Sequence, residues 1–205
     1  NISLKERMSF TNVQFQKDII LLNNLLKSGG YYFSDINTSL IKDEELNAVK
    51  LIIDINLGNR AKIKKIDFIG DKKIKDKKLL EIITSEEHKF WKFVSNKVYL
   101  NESIIELDKR LLENFYKNQG YYNIQVKNSF AEFDQKGFFK LIYNVEAGEK
   151  FYFNDLKLDL PEDYDKKDFV KIYKIFEKLK GEVYSFDEFN KILDEIDNVA
   201  SFKLY

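Results

Sequence analysis

The sequence predicts an α+β protein built from tandem β-α-α-β-β units, each with a three-stranded mixed sheet and two helices packed on one face. Three observations lead to this prediction. Residues 18–32 recur 90 positions later as residues 108–122, predicted strands and helices follow a fixed order, and a Gly-Tyr-Tyr element follows the same helix in both copies. Recurrence at a fixed spacing is typical of proteins that repeat one supersecondary unit.

Three copies of the unit divide the chain. Eight of the 15 positions are identical between the two recurring stretches, whereas unrelated segments would share about one. A third copy begins after Gly148, where Leu156 and Leu158 take the places of Ile66 and Phe68. We therefore expect three domains: the C-terminal part of one repeat at 1–59, a complete repeat at 60–149, and the N-terminal part of another at 150–205.

The complete repeat opens with a strand and a short helix. Residues 62–69 alternate, with Ile66 and Phe68 on one face, as expected for a strand. Residues 75–84 predict a short helix, because their apolar side chains recur at three- and four-residue spacings. The segment 85–93 that follows is longer than its counterpart in the third copy.

A longer helix is predicted over residues 101–118. Asn101 can cap its first turn, and Gly120 stands where a chain leaves a helix through the left-handed conformation. The apolar residues expected on its buried stripe are Ile104, Leu107, Leu111, Leu112 and Phe115.

Two strands complete the unit. Residues 122–133 and 138–146 should form an antiparallel hairpin, and the inward positions of its second strand are Phe139, Leu141, Tyr143 and Val145. The apolar positions change parity within the first of these strands, which indicates a β-bulge near Asn128 and Ser129. The last strand should lie in the centre of the sheet, parallel to the first, and leave the second strand at an open edge.

Composition argues against several classes of function. Lys and Arg number 34, as do Asp and Glu, so the net charge is zero and a nucleic-acid partner is not expected. There is no cysteine and His88 is the one histidine, so no metal site and no cofactor are predicted. Nothing places the carboxylate pairs Glu86 and Glu87 or Asp194 and Glu195 across a substrate, so a carboxylate-dependent α/β enzyme is the weaker alternative to a binding scaffold.

The order of elements, the period near 90 and the recurring Gly-Tyr-Tyr resemble the POTRA repeats of the outer-membrane β-barrel assembly factor family, BamA. The residues that carry the likeness lie at 65–71 in the first strand and its turn, at 108–122 in the second helix and its cap, and at 145–149 at the strand exit. The insert Trp91-Lys92-Phe93 resembles the third repeat of α-proteobacterial members, which would place the chain in the second-to-fourth repeat region.

The resemblance implies a non-enzymatic scaffold on the periplasmic face of the bacterial outer membrane, where it helps to deliver and fold outer-membrane proteins. Its implied partners are unfolded outer-membrane β-barrel proteins, accessory lipoproteins of the assembly complex, and the C-terminal membrane barrel that follows the repeats in that family. The POTRA regions of TamA-type factors and of two-partner secretion transporters stay open as alternatives. Because Asn1 is not a methionine and no apolar leader follows it, we expect a mature segment or a piece of a longer protein.

The candidate binding residues lie on the predicted edge strand. An open edge presents unpaired backbone groups, and β-augmentation by another strand reads these groups more than side chains. Ile124, Gln125 and Val126 are expected to be free for such pairing. The full candidate set is Asn123, Ile124, Gln125, Val126, Lys127, Asn128, Ser129 and Phe130.

Overall fold

A computed structural model of the chain describes residues 9–45, 48–89, 95–133 and 138–201. The elements follow in the order α1 (Asn12–Ser28), β1 (Asp35–Asp43), β2 (Ala48–Asn56), β3 (Lys62–Asp71), α2 (Asp76–Ile82), α3 (Glu102–Lys117), β4 (Gln125–Phe133), β5 (Phe138–Glu146), α4 (Val170–Leu179) and α5 (Phe186–Ser201). The predicted α+β class is confirmed, and the middle repeat has the β-α-α-β-β order. Among the described residues, no helix combines the length and the apolar character needed to cross a membrane.

The middle repeat contains a three-stranded sheet with the strand order β3-β5-β4. The last strand, β5, therefore lies in the centre and β4 at an edge, as the sequence predicts. The four predicted inward positions of β5 are all buried: Phe139, Leu141, Tyr143 and Val145. Tyr143 stacks on Phe68 of β3 with the ring centroids 5.6 Å apart, which joins the first and last strands of the repeat through their side chains.

The buried side of α3 differs from the predicted apolar stripe. Leu107 is exposed, and Leu112 is joined in the core by Asp108 and Tyr116. Both polar side chains have backbone partners, since the Asp108 carboxylate accepts from two N–H groups after α2 and the Tyr116 hydroxyl donates to the carbonyl of Lys72. A buried polar group is tolerated when it is hydrogen-bonded. The hydrogen bonds of Asp108 and Tyr116 and the apolar residues of α3 therefore together determine which face of the helix is buried.

Both predicted caps of α3 are confirmed. The side-chain oxygen of Asn101 accepts from the N–H of Ile104 at 3.1 Å, as an N-cap residue should. Gly120 has a φ of +95°, the left-handed conformation expected after a helix. The ring of Tyr121 then packs edge-on against Tyr116, with the centroids 5.7 Å apart.

The first repeat contributes a separate two-stranded sheet. β1 and β2 pair antiparallel, in a register that runs from Asp35 opposite Asn56 to Asp43 opposite Ala48. Its side chains are less buried than their counterparts in the middle repeat: Ile53 is 38% exposed, whereas Tyr143 at the repeated position is fully buried.

The first strand of the third repeat is not formed as a regular strand. Residues 154–160, which include Leu156 and Leu158, are outside any helix or strand. One isolated bridge between Tyr152 and Val183 stands in its place. A strand needs a partner for its backbone groups, and among the described residues no strand pairs with 154–160.

The described chain divides into two compact units. One consists of Asn1–Asp67, Ile83–Asp108 and Phe130–Ile142, and the other of Phe68–Ile82, Lys109–Ser129 and Tyr143–Tyr205. This division passes through the middle repeat, so the sequence boundaries at 59/60 and 149/150 stay a prediction about where a repeat begins and ends. Trp91, Lys92 and Phe93 lie outside the described residues, and the α-proteobacterial likeness and the repeat number also stay predictions.

Candidate strand-docking edge

The candidate site is built on β4, the nine-residue edge strand Gln125–Phe133. Only β5 is paired with it, so among the described residues no strand lies along its other side. The backbone groups that point away from β5 are therefore the ones that a docked strand could use. Asn123 and Ile124 precede the strand, whereas the other six candidate residues belong to it.

Side chains alternate at the start of the edge. Ile124 and Val126 are each 5% exposed and point into the core, while Gln125 and Lys127 are exposed. The Lys127 ammonium lies 3.9 Å from the carboxylate of Glu146, which alternates with the buried residues of β5 and so lies on the sheet face away from the helices.

The far half of β4 has the opposite parity. Phe133 packs against the buried Phe139 with the ring centroids 5.2 Å apart, and Glu132 lies 3.7 Å from Lys140 on the other face of β5. Lys127 and Glu132 thus share a face although they are five residues apart, and a regular strand would put them on opposite faces. One extra residue between them accounts for the change and agrees with the predicted bulge.

Two backbone N–H groups that the sequence analysis expected to be free are occupied. The N–H of Ile124 donates to the carbonyl of Tyr121 at 3.2 Å, and the N–H of Val126 donates to the Glu113 carboxylate at 3.4 Å. This corrects the expectation for Ile124 and Val126, and the open part of the edge begins after Val126. Asn128, Ser129 and Phe130 lie within β4, and the side chains of Asn128 and Phe130 are outside the described set.

Glu113 is the functional candidate that sequence reasoning missed. It lies on α3 and is half-buried, in a helix where charged residues are otherwise common on the solvent side. Its contact with Val126 depends on the rotation of α3, which Asp108 and Tyr116 help to set. The spacing of apolar residues does not determine this rotation. The contact between Glu113 and Val126 could therefore not be predicted from the sequence pattern.

A recess adjoins the start of the edge. It has a volume of about 370 Å³ and is lined by Lys117, Tyr122, Asn123, Ile124, Gln125 and Phe186. The Lys117 ammonium lies 5.5 Å from the centre of the Phe186 ring, and the rings of Tyr122 and Tyr184 meet edge-on at 5.4 Å. Burial raises the pKa of Tyr184, and the neighbouring Tyr122 adds to the rise. The Tyr184 hydroxyl therefore stays neutral, and the adjoining recess offers apolar surface beside a cation.

Comparison with known proteins finds a family model that matches the middle part of the chain. Residues 61–148 match the family model POTRA, described as a surface antigen variable number repeat. A crystal structure of Haemophilus influenzae BamA POTRA3-5 is similar to this chain with a TM-score of 0.52 and 18% identity, over 93% of this chain and 71% of that one. At this identity the likeness concerns the fold.

Two curated relatives are outer membrane protein assembly factors named BamA. The protein of Neisseria meningitidis serogroup B is 24% identical over 153 residues, which cover 74% of this chain and 19% of the relative. The protein of Buchnera aphidicola is 25% identical over 181 residues, which cover 73% of this chain and 29% of the relative. The chain thus spans less than a third of the length of the curated relatives that it matches.

Proposed function

We propose that this chain, in which residues 61–148 form a POTRA domain, is a periplasmic part of a BamA-type outer membrane protein assembly factor and binds unfolded barrel strands along β4. Its partners are then unfolded outer-membrane β-barrel proteins, accessory lipoproteins, and a membrane barrel in the same polypeptide. The role is that of a scaffold and not of an enzyme.

The edge position of β4 carries the proposal. A strand in the middle of a sheet pairs on both sides, whereas β4 pairs with β5 alone in the described part of the chain. An added strand would satisfy the outward backbone groups of residues 127–133 without any requirement on its sequence. This suits client proteins that share alternating strands and have no common motif.

The edge is only partly protected against such pairing. Natural edges are often protected by charged side chains that repel another strand. Lys127 is such a residue, but its ammonium lies near Glu146, so its charge is partly balanced within the sheet. The interface would be small and would order a flexible peptide, so we expect a dissociation constant of about 0.1–1 mM.

A titration followed by NMR tests the proposal. The ¹⁵N-labelled 205-residue chain is mixed with a capped decapeptide of alternating Val and Thr, with Lys at both ends for solubility. Shift changes should concentrate on the amides of residues 127–133. The same peptide N-methylated at every Val and every Thr is the matched control, because neither of its edges can then donate these N–H groups to β4.

The fully methylated peptide should therefore lose binding, whereas the unmethylated one should keep it. Equal binding by the methylated and unmethylated peptides would show that no strand is added. Shifts confined to α3 would instead indicate that the peptide lies in a helix groove, and β4 would not be the docking site.

A further inference from the structure

The carboxylate of Glu113 occupies a backbone donor of the docking edge. It accepts from the N–H of Val126, the second residue of β4, at 3.4 Å, and the contact is partly buried. At 3.4 Å this bond is longer than the usual range of about 2.7–3.2 Å for N–H···O bonds, but its acceptor is charged, which partly offsets the length.

The direction of this N–H identifies it as a donor of the open side. An N–H that pairs with β5 points along the sheet toward that strand. The Val126 N–H points instead at a side chain of α3, while the Val126 side chain itself is buried. It therefore belongs to the row of donors that a docked strand would use, and it is the first of that row.

The equivalent contact is missing from the first repeat. At the 90-residue spacing, Glu113 corresponds to Asn23 and Val126 to Ile36. The Asn23 amide group donates to the carbonyl of Ile19 within α1 at 3.1 Å, so it is directed at its own helix. The contact between helix and edge is thus a property of the middle repeat and not a general consequence of the fold.

We propose that Glu113 guards the edge: its carboxylate holds the first outward-pointing N–H of β4, that of Val126, and a strand can pair along the whole edge only after that carboxylate has been displaced. The inference rests on the proposed function, because it assumes that β4 accepts a strand. Displacing the Glu113 carboxylate costs part of the free energy that strand pairing provides. Glu113 therefore weakens binding and favours segments long enough to pair also with the residues of β4 that follow Val126.

Variants at Glu113 distinguish its proposed role from strand binding at β4 itself. Glu113→Ala removes the acceptor and should tighten binding of the alternating decapeptide about three- to tenfold, the range expected for one modest hydrogen bond. Glu113→Gln keeps a neutral acceptor and should stay closer to the wild-type chain. Glu106→Ala is the matched control, because it removes the same charge two helical turns away on α3.

Hydrogen exchange in the free protein gives a second readout. The Val126 amide should exchange faster in Glu113→Ala than in the wild-type chain, and Glu106→Ala should leave its rate unchanged. A merely structural role of Glu113 would instead change many amides of α3 and β4 together.

The outcomes are distinguishable. Tighter binding in Glu113→Ala with faster exchange at Val126 alone supports the guard. Binding at β4 that is the same in the wild-type chain and Glu113→Ala overturns the guard and leaves the proposed function standing. Absence of peptide shifts at β4 in both proteins overturns the proposed function, and the guard with it.

Discussion

Gly120 shows how one residue joins a helix to the strand that follows and to the next repeat. Its φ of +95° suits glycine, and a Cβ there would lie 2.8 Å from the Val183 side chain and 2.9 Å from that of Lys150. Two costs therefore add at this position, the strain of a left-handed conformation and the crowding of neighbours.

Gly148 provides a control for the prediction that follows from this geometry. Its φ is +71°, but a Cβ would meet nothing within 4 Å. We expect Gly148→Ala to cost about 1 kcal/mol from strain alone, and Gly120→Ala about 2–4 kcal/mol because crowding is added. Gly120→Val should cost more again. Urea unfolding of the 205-residue variants measures these differences, and equal losses for the two alanine variants would contradict the crowding argument.

Asp108 marks a limit of sequence-based prediction at the residue scale. It is fully buried, and its carboxylate accepts from the N–H of Ser85 at 3.2 Å and from that of Thr84. The sequence does show that this aspartate recurs, since Asp18 occupies the same position in the first copy. Asp18 is also buried. Its role could not be deduced, because a charged residue on a helix is usually read as solvent-exposed.

Leu141 and Phe115 differ in burial, although the sequence predicts an inward position for both. The sequence analysis places both on facing sides, but Leu141 is fully buried whereas Phe115 is only half-buried. Leu141→Ala should therefore cost about 2–5 kcal/mol, and Phe115→Ala less, about 1–2 kcal/mol. Leu51, the counterpart of Leu141 in β2, is half-buried, so Leu51→Ala is a matched control with a smaller effect. Thermal and urea unfolding check the order, and a loss below about 0.5 kcal/mol for Leu141→Ala would show that its buried position is wrongly assigned.

At the scale of elements, the sequence predicted most of the middle repeat. Its strands and helices have strong periodicities of two and 3.6 residues, and a second copy supports each of them. The failures have physical causes. The buried face of α3 is set partly by hydrogen bonds of Asp108 and Tyr116, and the expected strand at Leu156 and Leu158 has no partner strand among the described residues. The occupied N–H of Val126 depends on one side chain of a different element, Glu113.

The contacts that link one copy to the next also recur at the 90-residue spacing. The Gly30 carbonyl accepts from the Ala61 N–H at 2.8 Å, and the Gly120 carbonyl accepts from the Phe151 N–H at the same distance. A cation lies near a tyrosine ring in both places, Arg60 at 5.7 Å from Tyr31 and Lys150 at 6.0 Å from Tyr121. The 90-residue period therefore includes a linking element, and the glycine before the two tyrosines serves both as a helix cap and as an acceptor for the next copy.

Rings from the first repeat also cover one end of the middle sheet. Phe33 lies 4.8 Å from Phe133 and 6.0 Å from Phe139, and Tyr32 lies 5.8 Å from Phe139, measured between ring centroids. Aromatic pairs of this kind contribute about 0.5–1.5 kcal/mol each beyond the area that they bury. The middle repeat thus has its own core but receives part of its stability from the residues that precede it.

This sharing leads to a prediction for the isolated segment 60–149. It contains β3, α2, α3, β4 and β5, so it should unfold cooperatively in urea when followed by circular dichroism. Its midpoint should lie below that of a chain of residues 9–149, because Phe133 and Phe139 lose the rings of Tyr32 and Phe33. Phe33→Ala in the longer chain should reproduce part of the difference, whereas Val13→Ala, at an exposed position of α1, should not. A transition that is non-cooperative at every protein concentration would show that the boundaries of the repeat are wrong, and equal midpoints would show that the aromatic contacts add no stability.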